Sequence, residues 1–451
     1  MPIHAAFSRA ATRLTEWTQR WVPGTFTIAW LLTLIVLVLG MTVGRASFIR
    51  CIEAWGDGFW ELLPFSMQMA LIMFTGAIVA VSPPVRRALA WLASRPRTPR
   101  QSVLLVALSS MLLALLHWGI SVVGSAVLVR EMGRRRSGAD YRLLVAAAYL
   151  GMGTTWHAGL SASAPLLVAT PGHFLESQIG LIPMGETVFA PFNLILVACV
   201  ILVFAVVTPL LHPAHKETVE ATPAQLQAIH VFEPPPRPAA SRLTFAARLE
   251  HSRWVNLSFG ALALTWLAAY VAREQHPVTL NALNFVMMGL AIALHPSPAS
   301  LVAAAEEASG LLHGIILQFP LYAGMYGIIR ETRLAEALAG LFVAGASART
   351  YPAIVYWYSG LVNYFVPSGG SKWAIEAPYI MEAGKRLGVP AAKVVTAYAW
   401  GDMMTDIIQP FWAIPLLAAA KLDFRDILGF CMILFCVYAP LVSLAFLLFP
   451  R

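Results

Sequence analysis

Long apolar runs separated by short polar stretches dominate the chain. Runs sufficient for a membrane-crossing helix, about 20 residues, occur at 25–44, 59–81, 141–170, 190–211, 254–272, 281–295, 310–329, 391–419 and 429–449. Strand-type alternation of the outer-membrane kind is missing, so helices must carry the nine spans. Two of them are interrupted, 141–170 near 153–163 and 391–419 near 402–410. Two further apolar stretches, 103–129 and 351–381, carry polar, Gly/Ser-rich breaks at 117–125 (HWGISVVGS) and 363–371 (NYFVPSGGS). The succession of polar tip and broken helix thus occurs twice, roughly 250 residues apart, which is the sequence mark of a secondary transporter's binding site.

Arginines flank 103–129 on both sides: Arg86, Arg87, Arg95, Arg97 and Arg100 before it, Arg130, Arg134, Arg135, Arg136 and Arg142 after it. Arginine-rich flanks stay in the cytoplasm, and a single crossing would put one cluster outside. The stretch is therefore predicted to be a re-entrant hairpin of two half-helices of about 13 residues each. By analogy, 351–381 is a second hairpin entering from the other face. With nine crossings starting inside, 20 of the 31 Lys and Arg residues fall on the cytoplasmic side. This places the N-terminus (1–24) in the cytoplasm and the C-terminus outside.

The expected fold is an all-α polytopic membrane protein with about nine transmembrane helices plus two re-entrant hairpins in two inverted-topology repeats. Repeat 1 covers 25–211 and repeat 2 covers 281–449. A cytoplasmic linker, 212–253, and a connecting span, 254–272, lie between them. PPPRP at 234–238 should be extended, 241–253 an amphipathic surface helix, and 46–58 and 297–309 short interfacial helices.

Composition agrees: 58% of residues are hydrophobic and 12% charged, against about a quarter charged in soluble domains. The net charge of +8 follows from topology, and no nucleic-acid partner is expected. Cys51, Cys199, Cys431 and Cys436 form no CxxC pair and read as small hydrophobes. Neither a structural metal nor a cofactor is expected. The N-terminal apolar run lacks a convincing cleavage site and is read as the first span rather than a signal peptide.

A small anion entering a membrane must exchange water for fixed donors, and half-helix N-termini supply free N–H groups with a positive dipole end. The tip Pro367-Ser368-Gly369-Gly370-Ser371-Lys372 suits this, with Asn363 just before it. Gly119, Ser121, Gly124 and Ser125 are the analogous group in repeat 1. Packing of small residues between helices is the alternative use of both tips. Lys372, costly inside a membrane, needs a partner: a substrate carboxylate, or Glu376 one helical turn on. Asp402 and Asp406, four residues apart in the second broken helix, are candidates for H⁺ or transported Na⁺, or are solvated helix-end residues. His117 and His157 in the repeat 1 breaks are candidate proton carriers. Thr154, Thr155, Ser161, Ser163, Thr405 and Gln409 complete the candidate coupling group.

WGDGFWELLPFSMQMALI (55–72), LLVATPGH (166–173), GLIPMGETVF (180–189), NYFVPSGGSKW (363–373) and QPFWAIP (409–415) together resemble the bacterial short-chain fatty acid transporters of the acetoacetate/butyrate uptake type, across essentially the whole chain. The resemblance implies an inner-membrane carrier in a larger group of ion-coupled transporters with two inverted repeats and two hairpins, many of them dimers working by an elevator-like motion. Within it, Asn363, the serines and glycines of 368–371 and Gln409-Pro410 match the family pattern. His117, Trp156-His157, Lys372, Glu376, Asp402 and Asp406 depart from it, toward a more charged site. A lysine after the tip serine is similar to the aminobenzoyl-glutamate branch, so a keto, hydroxy, dicarboxylate or aminobenzoyl-glutamate-like acid is an alternative substrate.

The leading expectation is a carrier of short carboxylates driven by H⁺ or Na⁺. A channel would want one continuous polar pore instead of paired breaks. Gly159-Leu160-Ser161-Ala162 beside His157 also matches the short nucleophile motif of rhomboid-type serine proteases. That reading requires His157 to reach Ser161 as a base.

Overall fold

The computed structural model describes residues 23, 25–135, 138–228, 232–236, 238, 244–274 and 278–449. Every regular element among them is helical. The expectation for 1–24 lies outside the described residues except at Pro23, as do 241–243 of the expected surface helix, whose described part is Phe245–Glu250.

The first half runs α1 (Thr25–Thr42), α2 (Phe48–Gly58), α3 (Leu63–Val81), α4 (Pro83–Ala93), α5 (Pro99–Leu116), α6 (Trp118–Arg134), α7 (Tyr141–Thr154), a 3₁₀ turn (Trp156–Ala158), α8 (Ser163–Val168) and α9 (Pro191–Leu210). Helix α10 (Arg253–Arg273) follows the linker. The second half repeats the succession: α11 (Leu280–Leu294), α12 (Pro298–Ser309), α13 (His313–Glu331), α14 (Leu334–Gly345), α15 (Tyr351–Phe365), α16 (Gly369–Arg386), α17 (Ala391–Asp406), a 3₁₀ turn (Phe411–Ala413), α18 (Ile414–Ala420) and α19 (Phe424–Leu448).

Local chemistry sets many of the starts. Proline stands in the first turn of α3, α4, α5, α9, α12 and α15, where a missing N–H costs nothing. Ser47, Thr98, Asp140, Ser297 and Ser368 accept N–H bonds from the first turns that follow them, and Asp423 forms a capping box with Asp426.

Among the described residues, five helices are long and apolar enough to cross a membrane, against the nine spans expected: α3, α5, α9, α10 and α19. The α12–α13 pair, bent by 52°, makes a sixth. Helices α11 and α14 are apolar but shorter, as is Phe26–Thr42. The stretch 103–129 is where hydropathy falls short: its two helices, α5 and α6, span 18 and 17 residues rather than about 13 each. The Thr98 cap starts α5 before the apolar run begins, taking in Arg100 and Gln101, and α6 continues through Arg130 to Arg134 at the other end. Helix α4 occupies the arginine-bearing stretch before 103–129, and α14 an apolar stretch outside the nine expected spans.

Helix α5 packs along α7 as α15 packs along α17; α6 lies on α3 and α4 as α16 lies on α13 and α14. The halves interlock, with α13 packing on α1 and α2 of the other half, and α3 on α11 and α12. At the α2–α13 crossing a Cβ on Gly327 would lie 2.2 Å from the Ala54 carbonyl oxygen and 3.0 Å from Gly58 Cα. Only glycine allows this backbone approach.

Candidate functional site

The break between α15 and α16 is built by Pro367 and Ser368. Ser368, extended at φ −155°, accepts the Ser371 N–H and donates to Ser371 Oγ at 2.9 Å. This leaves two hydroxyls beside the positive end of an 18-residue helix. They open on a cavity of about 220 Å³ walled chiefly by Met73, Leu311, Ile315, Phe319, Trp412 and Ile414, with His313, Gln318 and Tyr322 as its other polar lining. The hydroxyl pair, the helix end and the apolar walls suit a small acid with a short hydrocarbon tail.

Behind the tip lies a buried charged cluster. Lys372 Nζ is 3.2 Å from Asp402 Oδ1 and 3.4 Å from Glu376 Oε1, donates to Ser359 Oγ, and sits 3.9 Å from the Tyr398 ring centre. Lysine 372 and Glu376 are 0% exposed. Asp402 Oδ2 lies 2.9 Å from His157 Nδ1, and the Ala164 N–H donates to His157 Nε2 at 3.2 Å. That second bond fixes the tautomer: Nε2 is the acceptor, so Nδ1 carries the proton and donates to Asp402. Asp406 accepts from Asn363 Nδ2 at 2.8 Å and from Trp156 Nε1 at 3.2 Å.

The breaks of the two halves meet here. A Cβ on Gly369 would lie 2.7 Å from His157 Cε1, 2.7 Å from Trp156 Cη2 and 2.8 Å from Asp402 Oδ2. Gly370 abuts Phe65, and Gly153 abuts the backbone of Ile407. Trp156 stacks on His157, and Trp118 reaches edge-on to both Trp156 and Trp412. Tyr398 donates to the Gly369 carbonyl at 2.7 Å.

The structure therefore gathers Asn363, Gly369, Lys372, His157, Asp402, Thr405 and Asp406 into one cluster, with Thr405 accepting from Asn363 and donating to the Gly360 carbonyl. Ser368 and Ser371 face the cavity; Lys372 points away from it into the cluster. Several candidates lie elsewhere. Ser121 donates to the Ser110 carbonyl, Gly124 packs on Leu89 and Leu113, and Ser125 is buried, so none of the three lines the cavity. Thr154 donates to Leu150 and Thr155 to Met111, both through carbonyl oxygens. Ser163 faces Met69 Sδ at 3.6 Å. Gln409 accepts from Tyr149 through its backbone. His117 is buried against Gly76 and Gly119, and neither ring nitrogen has a partner among the described residues. Ser161 Oγ accepts the Trp118 N–H, while both His157 nitrogens are engaged elsewhere, so no Ser–His dyad exists for a rhomboid-type protease.

Sequence reasoning missed Ser359, Tyr398 and the apolar wall from α13. Tyr398 stands four residues before Asp402 on the same helix face, which was a signal for the second. Gly310 and Gly314, flanking apolar residues at the α12–α13 bend, were a signal for the third.

The sequence profile described as "Short chain fatty acid transporter" matches residues 6–449. An Escherichia coli (strain K12) protein described as "Putative short-chain fatty acid transporter" is 37% identical over 94% of this chain and 96% of its own length. A Haemophilus influenzae protein with the same description is 33% identical over 96% and 98%. Among solved structures, the Alcanivorax borkumensis YdaH transporter, described as having an unusual topology, is similar at a TM-score of 0.61 and 17% identity over 94% of this chain and 98% of its own. Neisseria gonorrhoeae MtrF, described with a class of antimetabolite efflux pumps, gives 0.55 and 15% over 98% and 96%. These two show a shared fold. An all-α membrane architecture and full-length matches to transporters rather than enzymes lead to one assignment: the chain belongs to the short-chain fatty acid transporter family.

Proposed function

We propose that the protein is a secondary active carrier of short-chain carboxylates such as acetoacetate and butyrate across the bacterial inner membrane. The carboxylate binds at Ser368 and Ser371 on the N-terminus of α16, and the hydrocarbon tail lies against Met73, Ile315 and Phe319. The observation that carries this reading is the cavity joining two hydroxyls at a helix end to apolar walls. The predominantly apolar walls favour a short aliphatic or keto acid, and a second carboxylate would have to reach His313, Gln318 or Tyr322 to be satisfied.

A cation gradient supplies the drive. One ammonium faces three carboxylates in the cluster, so the site gains by taking up positive charge. Substrate and cation then favour each other's binding, as coupling requires. The hairpins and broken helices move as an elevator-like unit against the interlocked α1–α3 and α11–α13, in a homodimer, with the N-terminus cytoplasmic and the C-terminus periplasmic.

The test is uptake of labelled short acids by proteoliposomes under separate Na⁺ and H⁺ gradients. Ser371→Ala removes a hydroxyl aimed at a charged group, an interaction of about 1.5–3 kcal/mol, and should raise the KM for acetoacetate at least tenfold. Unaltered uptake in this variant removes the site.

A further inference from the structure

We propose that Glu376 is the proton-binding residue of transport, making this carrier an electroneutral proton–carboxylate symporter. The inference deepens the carrier reading and rests on it. It starts from a difference among the three buried carboxylates. Asp402 accepts from His157 at 2.9 Å on Oδ2, and its Oδ1, which makes no hydrogen bond among the described residues, has the Lys372 ammonium at 3.2 Å. Asp406 has Asn363 on one oxygen and Trp156 on the other. Glu376 is 0% exposed, and neither of its oxygens has a hydrogen-bond donor among the described residues. Its ion-pair partner is Lys372 at 3.4 Å, which is shared with Asp402. Ser359 stands nearby, but its own proton goes to the Tyr398 carbonyl at 3.3 Å and its oxygen accepts from Lys372.

The groups facing Glu376 leave it no other compensation. Helix α16 contributes Lys372 and Tyr379, α15 contributes Tyr351 and Tyr358, and α17 contributes Asp402 and Tyr398. Tyr358 and Tyr379 hydrogen-bond each other at 2.8 Å, and Tyr351 is committed to the Ile380 carbonyl at 2.6 Å. One ammonium cannot neutralise two buried carboxylates, and a buried charge without a partner is costly. A proton on Glu376 leaves Lys372 and Asp402 as a balanced pair. Lys372 follows Ser371 directly in the chain and Glu376 lies one turn further along, so the proton site and the hydroxyl pair share one helix, α16. The incoming substrate brings one negative charge and the proton one positive, so loaded and empty carriers move with equal charge.

The experiment uses the full-length protein in proteoliposomes with labelled acetoacetate, and protein-free vesicles are subtracted to remove passive permeation of the free acid. For the wild type, a one-unit inward proton gradient should support about tenfold accumulation, and neither a Na⁺ gradient nor an imposed potential should change it. Glu376→Gln should abolish accumulation while retaining substrate exchange at rates independent of pH. Glu376→Asp should restore the response to the proton gradient. Proton-driven accumulation persisting in Glu376→Gln overturns the proposal, as does wild-type accumulation that follows Na⁺ or the potential. Loss of exchange in Glu376→Gln without recovery in Glu376→Asp overturns it too. A wild type that moves no short acid at all would instead sink the carrier reading itself.

Discussion

Chain-length selection should respond to Gly314, which lines the cavity opposite the tip serines. A Cβ placed there meets only Gln318 Nε2, at 3.7 Å, an ordinary contact. Gly314→Leu would therefore project a four-carbon side chain into the space for the substrate tail without disturbing the backbone. Butyrate carries two more carbons than acetate, and each buried methylene contributes about 0.8 kcal/mol. In the wild type, kcat/KM should thus favour butyrate over acetate by roughly fifteenfold, from about 1.6 kcal/mol. In Gly314→Leu the added side chain competes with those two carbons for a cavity of about 220 Å³, and the ratio should fall toward about one with acetate transport little altered. Competition of unlabelled acids against labelled acetate uptake measures both ratios in one assay. A variant that keeps the wild-type preference, or that still gains from acids longer than butyrate, refutes this placement of the tail.

Gly369→Ala forces a methyl against His157, Trp156 and Asp402 within 2.8 Å; overpacking of this kind costs about 1–3 kcal/mol, and uptake should drop severalfold while protein still reaches the membrane. Lys372→Met leaves two carboxylates buried without their cation, so the detergent-solubilised protein should lose about 3–5 kcal/mol of stability, read as a lower melting midpoint. Lys372→Met combined with Asp402→Asn should recover part of the loss, and a wild-type melting curve in the single variant contradicts the ion-pair assignment. In a background lacking native cysteines, Arg100→Cys and Arg134→Cys should react with an impermeant maleimide from the same side of the membrane. Labelling from opposite sides eliminates the hairpin reading of α5 and α6.

The breaks were legible because polar and small residues interrupt apolar runs, a signal that needs no partner to be seen. Lys372 stood out for the same reason, as an ion where none is expected. What hydropathy could not show was pairing. His157 and Asp402 are 245 positions apart, and their bond depends on how the breaks of the two halves cross. Ser121 and Ser125 matched the second tip by composition, yet α6 follows His117, which makes no side-chain cap bond, whereas Ser368 caps α16. A hydroxyl at the cap position, not small residues alone, separates the tip that faces the cavity from the one packed on Ser110 and Gly151. The cavity's apolar wall was hidden because Ile315 and Phe319 look like any lipid-facing residues until α13 is seen beside the tip.

The crossing of α3 onto α11 and α12 has a consequence for how the chain is made. Gln68 donates to Asn281 at 2.7 Å across 213 positions, so the third helix emerges from the ribosome long before the partners that cover it exist. During that interval the Gln68 side chain stands without its final partner, whereas Ser66 and Thr75 bond to carbonyls one turn back. With α13 packed on α1 and α2 as well, completion of the N-terminal half is expected to wait on translation of the C-terminal half. Fragments divided within 212–253 should survive only when made together in the same cell.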